Sequence, residues 1–108
     1  MDPKPQFKMK VKFHFREHGK ERRNWFMFGE DLTRRVPMEM DGVEGLNTVG
    51  MYINKESTFK EGDECEVNCV VIAPELFKNV IHPGSKGALW DSGFFADTEV
   101  IEVYQENW

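Results

Sequence analysis

Residues 7–15 alternate strictly between apolar and polar side chains, in the order Phe-Lys-Met-Lys-Val-Lys-Phe-His-Phe. Successive side chains of a β-strand point to opposite faces, so this pattern predicts a strand with one face on a hydrophobic core and the other in water. We expect the odd-numbered side chains to be buried and the three lysines to be exposed.

The rest of the chain also favours short strands over helices. No segment keeps a helical period beyond about two turns, and residues 74–78 allow one helical turn at most. Pro37 restricts its segment to an edge or irregular strand, because proline cannot donate to a sheet. Residues 25–29 form either a strand or an aromatic loop packed on a barrel end. Further strands are expected at residues 31–40, 47–54, 64–71, 87–90 and 94–104, with turns at Asp41-Gly42, Glu44-Gly45, residues 60–63, 82–84 and 91–93.

Strands at this spacing without helices predict an all-β barrel or sandwich. The chain has 108 residues, which is typical of one domain, and we assign residues 1–108 to it. No stretch has the roughly 18 apolar residues of a membrane helix, and the first residues do not resemble a signal peptide. Cys65 and Cys69 lie about 13 Å apart along an extended strand, too far for a disulfide. Two buried, reduced thiols are therefore expected, which favours the cytoplasm.

Four segments together resemble the C-terminal β-barrel domain of elongation factor Tu and related translation factors. They are Phe59-Lys60-Glu61-Gly62-Asp63, the strand that follows it to residue 72, Gly87-Ala88-Leu89-Trp90-Asp91-Ser92-Gly93, and Asp97-Thr98-Glu99-Val100-Ile101. The resemblance covers nearly the whole chain and implies a small closed six-stranded antiparallel barrel of the Greek-key type.

Two departures from that family bear on function. The chain has no G-x-x-x-x-G-K-[ST] stretch, so it lacks the phosphate cradle of the family's separate GTP-binding domain. The family's basic Arg-Glu-Gly-Gly-Arg turn corresponds here to residues 90–94, Trp-Asp-Ser-Gly-Phe, which carry no positive charge. Contact with a transfer-RNA backbone at this edge is not expected, because phosphate contacts use Lys or Arg. We interpret the chain as a stand-alone barrel.

The sequence carries no recognisable catalytic apparatus. Cys65 and Cys69 alternate with polar residues, as small core residues do, and free cysteine is among the most buried residue types. His14, His18 and His82 lack the ligand spacing of a zinc site. We therefore expect a protein that is not an enzyme and that has no cofactor and no metal.

Charge is divided unevenly along the chain. Residues 1–35 hold ten Lys and Arg against five Asp and Glu, whereas residues 36–108 hold four against fourteen, for a total of −5. Two surfaces are candidates for partner binding, and the simpler explanation of both is that charged side chains keep the protein soluble. The acidic candidate consists of Glu64, Glu66, Glu99 and Glu102, and the basic candidate consists of Arg22, Arg23, Arg34 and Arg35.

The leading interpretation is a non-catalytic module that binds a protein partner. One version is an immunity-type inhibitor, a small acidic protein that blocks a basic toxin enzyme. The alternative is an RNA-binding accessory protein that uses the basic residues. The aromatic clusters at 25–28 and 94–95 either fill the barrel ends or expose a patch that anchors a partner.

Overall fold

In the computed structural model, residues 4–15 and 25–108 are described, and they form eight β-strands and two short helical segments. The strands are β1 (Phe7–Phe13), β2 (Trp25–Phe28), β3 (Thr33–Met40), β4 (Val43–Tyr52), β5 (Ser57–Lys60), β6 (Glu64–Val71), β7 (Lys86–Trp90) and β8 (Phe94–Val103). A single helical turn, α1 (Pro74–Phe77), follows β6, and a 3-10 helix (Gln105–Asn107) follows β8.

Six of the strands close into an antiparallel barrel in the order β1-β6-β4-β3-β7-β8, with β8 paired back to β1. Strands β3, β4 and β6 follow one another around the barrel, and β1, which precedes them in the chain, lies beside β6 instead of β3. This is the Greek-key arrangement of four strands. The prediction of an all-β, closed, six-stranded antiparallel barrel is confirmed.

Strand β1 has the predicted orientation. Its apolar residues are fully buried, and so is Phe15 beyond its end, whereas Lys10 and Lys12 are exposed and Lys8 is half-buried. Burial of each large apolar side chain stabilises the fold by roughly 1.5–3 kcal/mol. The side chains buried on this strand are Phe7, Met9, Val11 and Phe13. The alternating segment therefore forms one wall of the barrel core.

Strands β2 and β5 pair with each other in a separate two-stranded sheet, called the ribbon below. Phe26 and Phe28 of β2 are fully buried, and Phe26 stacks on Phe13 with ring centroids 5.4 Å apart. Phe59 of β5 stacks on the same ring at 5.1 Å. The inner face of the ribbon thus packs on the C-terminal end of β1. Residues 25–29 therefore contain a strand, as the first of the two alternatives predicted, and β5 is a strand that the sequence did not predict.

One of two local predictions about the β3–β4 hairpin needs correction. Glu44-Gly45 was expected to be a turn, but both residues lie within β4, where Gly45 has a φ of +76°. Between the pairs Met38–Asn47 and Met40–Val43, β3 advances by two residues and β4 by four, so Gly45 lies in a bulge. Pro37 lies inside β3, but pairing of β3 with β7 begins only at Met38. Pro37 therefore occupies a part of the strand that is paired with β4 alone.

Candidate functional site

The four carboxylates of the acidic candidate surface are separated by a column of lysines. Lys10 of β1 lies opposite Glu66 of β6 on one side and Glu99 of β8 on the other. Lys12 lies opposite Glu64 and Asp97, and Lys8 lies opposite Asn68 and Glu102 in the same way. Side chains directly opposite on antiparallel strands are within reach of each other. This wall of the barrel therefore carries alternating columns of charge, not a uniformly acidic face.

Lys86 of β7 extends the alternation. Its Nζ donates a hydrogen bond to Oε1 of Glu99 at 2.6 Å. That hydrogen bond, with the charge of Lys86, holds the pKa of Glu99 below its usual value. Glu99 is therefore engaged within the protein, whereas Glu64, Glu66 and Glu102 are exposed beside lysines.

The basic candidate surface is divided between different environments. Arg34 donates a hydrogen bond from Nη1 to the carbonyl oxygen of Met27 at 2.6 Å, and its guanidinium lies 4.3 Å from the centre of the Phe26 ring. It therefore ties β3 to the ribbon. Arg35 is exposed on the opposite face of β3. Arg22 and Arg23 lie outside the described residues.

The two cysteines are free thiols, as predicted. Cys69 is fully buried, but Cys65 is only partly buried, which corrects the expectation that both are inaccessible. Burial, together with Asp63 and Glu66, raises the pKa of Cys65 from 9.0 to about 12, and burial raises the pKa of Cys69 well above its usual value. Because the thiolate is the reactive form, neither environment activates a nucleophile.

Each of the two described histidines contacts a different group of the protein. Nε2 of His14 lies 3.2 Å from Oδ1 of Asp97, and Nδ1 of His82 lies 3.0 Å from the carbonyl oxygen of Pro83. His18 lies outside the described residues. Within residues 4–15 and 25–108, no group of three or more His, Cys, Asp or Glu side chains is arranged to hold a metal ion.

The outer face of the ribbon is the most exposed aromatic surface among the predicted clusters. Trp25 and Met27 lie on this face, and each is 44% exposed. Lys60 lies directly opposite Trp25, and Thr58 lies opposite Met27. These four residues line an open hollow with a volume of about 450 Å³. In the other aromatic cluster, Phe95 is fully buried and Phe94 is half-buried.

On both edges of the ribbon, side chains from other parts of the protein form hydrogen bonds with backbone groups. Arg34 binds the Met27 carbonyl on β2, and the carboxylate of Asp63 accepts a hydrogen bond from the backbone N–H of Lys60 on β5 at 2.7 Å. Occupied edges discourage the addition of a further strand. The outer face of the ribbon is therefore less occupied by other parts of the protein than these two edge groups are.

A second concave surface was not predicted from the sequence. It lies on the outside of the barrel across β3, β4 and β6, where Thr33, Tyr52 and Asn68 occupy one row. We call it the Tyr52 groove. The groove is lined by residues from four separate segments, and no local pattern marks them: Pro5, Asp31, Leu32, Thr33, Tyr52, Ile53, Asn54 and Asn68. Only the strand order and register bring them together.

No protein-family model matches the sequence, and no curated protein is significantly similar to it. The resemblance to the C-terminal barrel of elongation factor Tu therefore stays a prediction, whereas the barrel fold itself is observed. No helix among the described residues is long and apolar enough to cross a membrane.

Proposed function

We propose that this protein is a non-catalytic binding module whose partner is a protein docked on the outer face of the ribbon. The observation that carries the proposal is the joint exposure of Trp25 and Met27 on one small sheet face. Tryptophan is enriched among the residues that dominate binding energy in protein interfaces, and methionine adapts its shape to irregular partners.

The ribbon suits this role because its inner face is fixed. Phe26 and Phe59 stack against Phe13, and Arg34 holds β2 from the side. A face that is already ordered loses little conformational entropy when it binds, so more of its contact energy appears as affinity. The outer side chains are therefore presented on a rigid support.

The partner that we infer is a basic protein that inserts one large apolar side chain beside Trp25. Trp25 and Met27 supply the apolar lining of the open hollow at this face, which has a volume of about 450 Å³. The net charge of −5 would steer a basic partner towards the protein. An immunity-type inhibitor that occludes a basic enzyme is the specific version that we favour, and the two free thiols support action in a reducing cytoplasm.

RNA binding has less support from the described residues. Lys10 and Lys12 lie between carboxylates, and Arg34 is engaged with Phe26 and Met27. Phosphate binding relies on Lys and Arg that are free to replace counterions.

The test compares three baits in affinity capture from a lysate, with and without nuclease. The baits are the native protein, Trp25→Ala and Trp90→Ala, because Trp90 is also an exposed tryptophan but lies on β7. We expect the native protein and Trp90→Ala to recover the same basic protein after nuclease treatment, and Trp25→Ala to lose it. Equal recovery by all three baits, or recovery that nuclease abolishes, would overturn the proposal.

A further inference from the structure

The Tyr52 groove has the size of a small-molecule site. Thr33 lies opposite Tyr52 between β3 and β4, and Tyr52 lies opposite Asn68 between β4 and β6. Residues in one row across a sheet point to the same face, so the three side chains share the outer surface of the barrel. The groove encloses about 450 Å³, and sites for small ligands commonly measure about 300–1,000 Å³.

The polar groups of the groove match a ligand that both donates and accepts hydrogen bonds. The hydroxyls of Thr33 and Tyr52 and the amides of Asn54 and Asn68 can each do both. The described residues that line the groove include no Lys, Arg or His. Among the described lining residues the one charged side chain is that of Asp31, which accepts a hydrogen bond from the backbone N–H of Thr33 at 3.4 Å. These features favour a neutral ligand over an anionic one.

Asn68 supplies an acceptor that the protein leaves unsatisfied. Its Oδ1 is shielded from solvent and has no hydrogen-bond partner among the described residues. A buried polar atom without a partner is costly and uncommon in native proteins. Because Asn68 lines the groove, a ligand hydroxyl that enters and reorients the amide would supply the missing donor.

The apolar side of the groove is formed by the ring of Tyr52 and by three further side chains. The ring of Tyr52 lies over Gly50, with its Cε2 and hydroxyl oxygen 3.6 Å from where a Gly50 side chain would begin. Pro5, Leu32 and Ile53 form the remaining walls. Leu32 has a φ of +59°, a conformation that is unfavourable for a leucine. Backbone strain of this kind concentrates at binding and catalytic sites.

Two backbone hydrogen bonds hold Leu32 in this conformation. The N–H of Leu32 donates to the carbonyl of Gly29 at 3.0 Å, and the carbonyl of Leu32 accepts from the N–H of Ile53 at 3.1 Å. The wall is therefore fixed relative to β4. A ring with an apolar C–H face and hydroxyls at its edge fits both sides of the groove at once.

We propose that the Tyr52 groove binds a neutral, hydroxyl-rich small molecule of the monosaccharide class. Its apolar face packs against Tyr52 and the apolar walls, and its hydroxyls pair with Thr33, Asn54 and Asn68. The site is separate from the ribbon face and does not depend on the protein-binding proposal.

The test is a titration of the uniformly ¹⁵N-labelled protein with glucose, galactose, mannose and N-acetylglucosamine, followed by amide chemical shifts. We expect at least one sugar to give saturable shifts at Thr33, Tyr52 and Asn68. Thr33→Val and Tyr52→Phe keep the side-chain shapes and remove one hydroxyl each, so each should weaken binding about 5-fold. Thr48→Val removes a hydroxyl from β4 outside the groove and should leave sugar binding unchanged.

The same titration with glucose 6-phosphate separates neutral from anionic ligands, and it should bind more weakly than glucose. The proposal is overturned if no neutral sugar gives saturable shifts, if the shifts lie outside the groove, or if the sugar phosphate binds more tightly. Trp25→Ala should leave sugar binding unchanged, so failure of the ribbon proposal and failure of this one are distinguishable.

Discussion

Arg34 and Arg35 are neighbours in the chain but have opposite environments. Arg34 hydrogen-bonds to Met27 and lies over Phe26, whereas Arg35 is exposed. The sequence placed both in one basic surface because their chemistry is identical. Alternation along β3 sends them to different faces, and only the packing of the ribbon shows which one has a structural role.

We predict that Arg34→Ala lowers the free energy of unfolding by about 1–3 kcal/mol, because it removes a charge-assisted hydrogen bond and a cation–π contact. Arg35→Ala removes the same charge from a solvated position and should stay within about 0.5 kcal/mol of the native protein. Urea unfolding of both variants measures the difference. Equal effects of the two substitutions would mean that Arg34 does not hold the ribbon.

The cysteine thiols give the protein a specific alkaline sensitivity. The folded-state pKa of Cys65 is raised from 9.0 to about 12, and the pKa of Cys69 is also raised well above its usual value. Above pH 9 the unfolded chain therefore releases protons that the folded protein keeps. Stability contributed by the neutral thiols is fully present below pH 9 and is lost as pH rises from about 9 towards about 12.

We predict that the double variant Cys65→Ala/Cys69→Ala loses less stability than the native protein over this alkaline range. Every other ionisable group is common to both proteins, so the difference in slope isolates the thiols. The measurement is the free energy of unfolding in urea at a series of pH values. Parallel pH profiles would show that the thiols ionise equally well in the folded and unfolded states.

At the scale of the strand, β1 could be predicted from its local sequence and β5 could not. Nine alternating residues specify the face and approximate length of β1, because alternation is a local property. Strand β5 has four residues, Ser-Thr-Phe-Lys, and only one of them is apolar. It is a strand because it pairs with β2, about 30 residues earlier in the chain, and no local pattern encodes that pairing.

The charged columns are also a property of strand pairing. The sequence showed a basic first third and an acidic remainder, and it suggested two surfaces of opposite sign. The barrel places β1 between β6 and β8, so lysines from the first third lie between carboxylates from the rest. The acidic residues are therefore tied to the stability of this wall as well as to any partner.

We predict that replacing Glu64, Glu66, Glu99 and Glu102 together by Lys lowers the urea midpoint of unfolding. Each new lysine would face or neighbour a lysine of β1 or β7, and like charges opposite each other destabilise a sheet. The matched control replaces four other exposed glutamates by Lys, which changes the net charge by the same amount. They are Glu44, Glu56, Glu75 and Glu106. A control that is destabilised equally would assign the effect to net charge instead of the columns.

At the scale of the whole molecule, the barrel was predictable and the grooves were not. Strand patterning and turn residues are distributed along the chain, so they specify an all-β closed fold. The Tyr52 groove combines Thr33, Tyr52 and Asn68, which become neighbours only when β3, β4 and β6 pair in register. A site composed of single residues from separate strands leaves no motif in the sequence.

Closure of the barrel depends on close approach at Gly87. Strand β7 joins β3 to β8, and it pairs with β3 through only Met38, Glu39 and Met40. A Cβ at Gly87 would lie within hard contact of the backbone carbonyl of Glu39 and 2.8 Å from Oγ1 of Thr98. The Thr98 hydroxyl is itself buried and has no hydrogen-bond partner among the described residues. A side chain at Gly87 would therefore press on a buried polar group as well as on the backbone.

We predict that Gly87→Ala lowers the free energy of unfolding by about 1–3 kcal/mol or more, because a backbone carbonyl must move to admit one methyl group. Loss of amide hydrogen-exchange protection should concentrate at residues 38–40 and in β7, since the junction between β3 and β7 would separate first. Gly29→Ala is the matched control, because a Cβ there meets no atom within 4 Å. Urea unfolding and hydrogen exchange of both variants test the prediction. Native stability of Gly87→Ala, or protection lost evenly around the barrel, would show that β7 does not close the barrel through this contact.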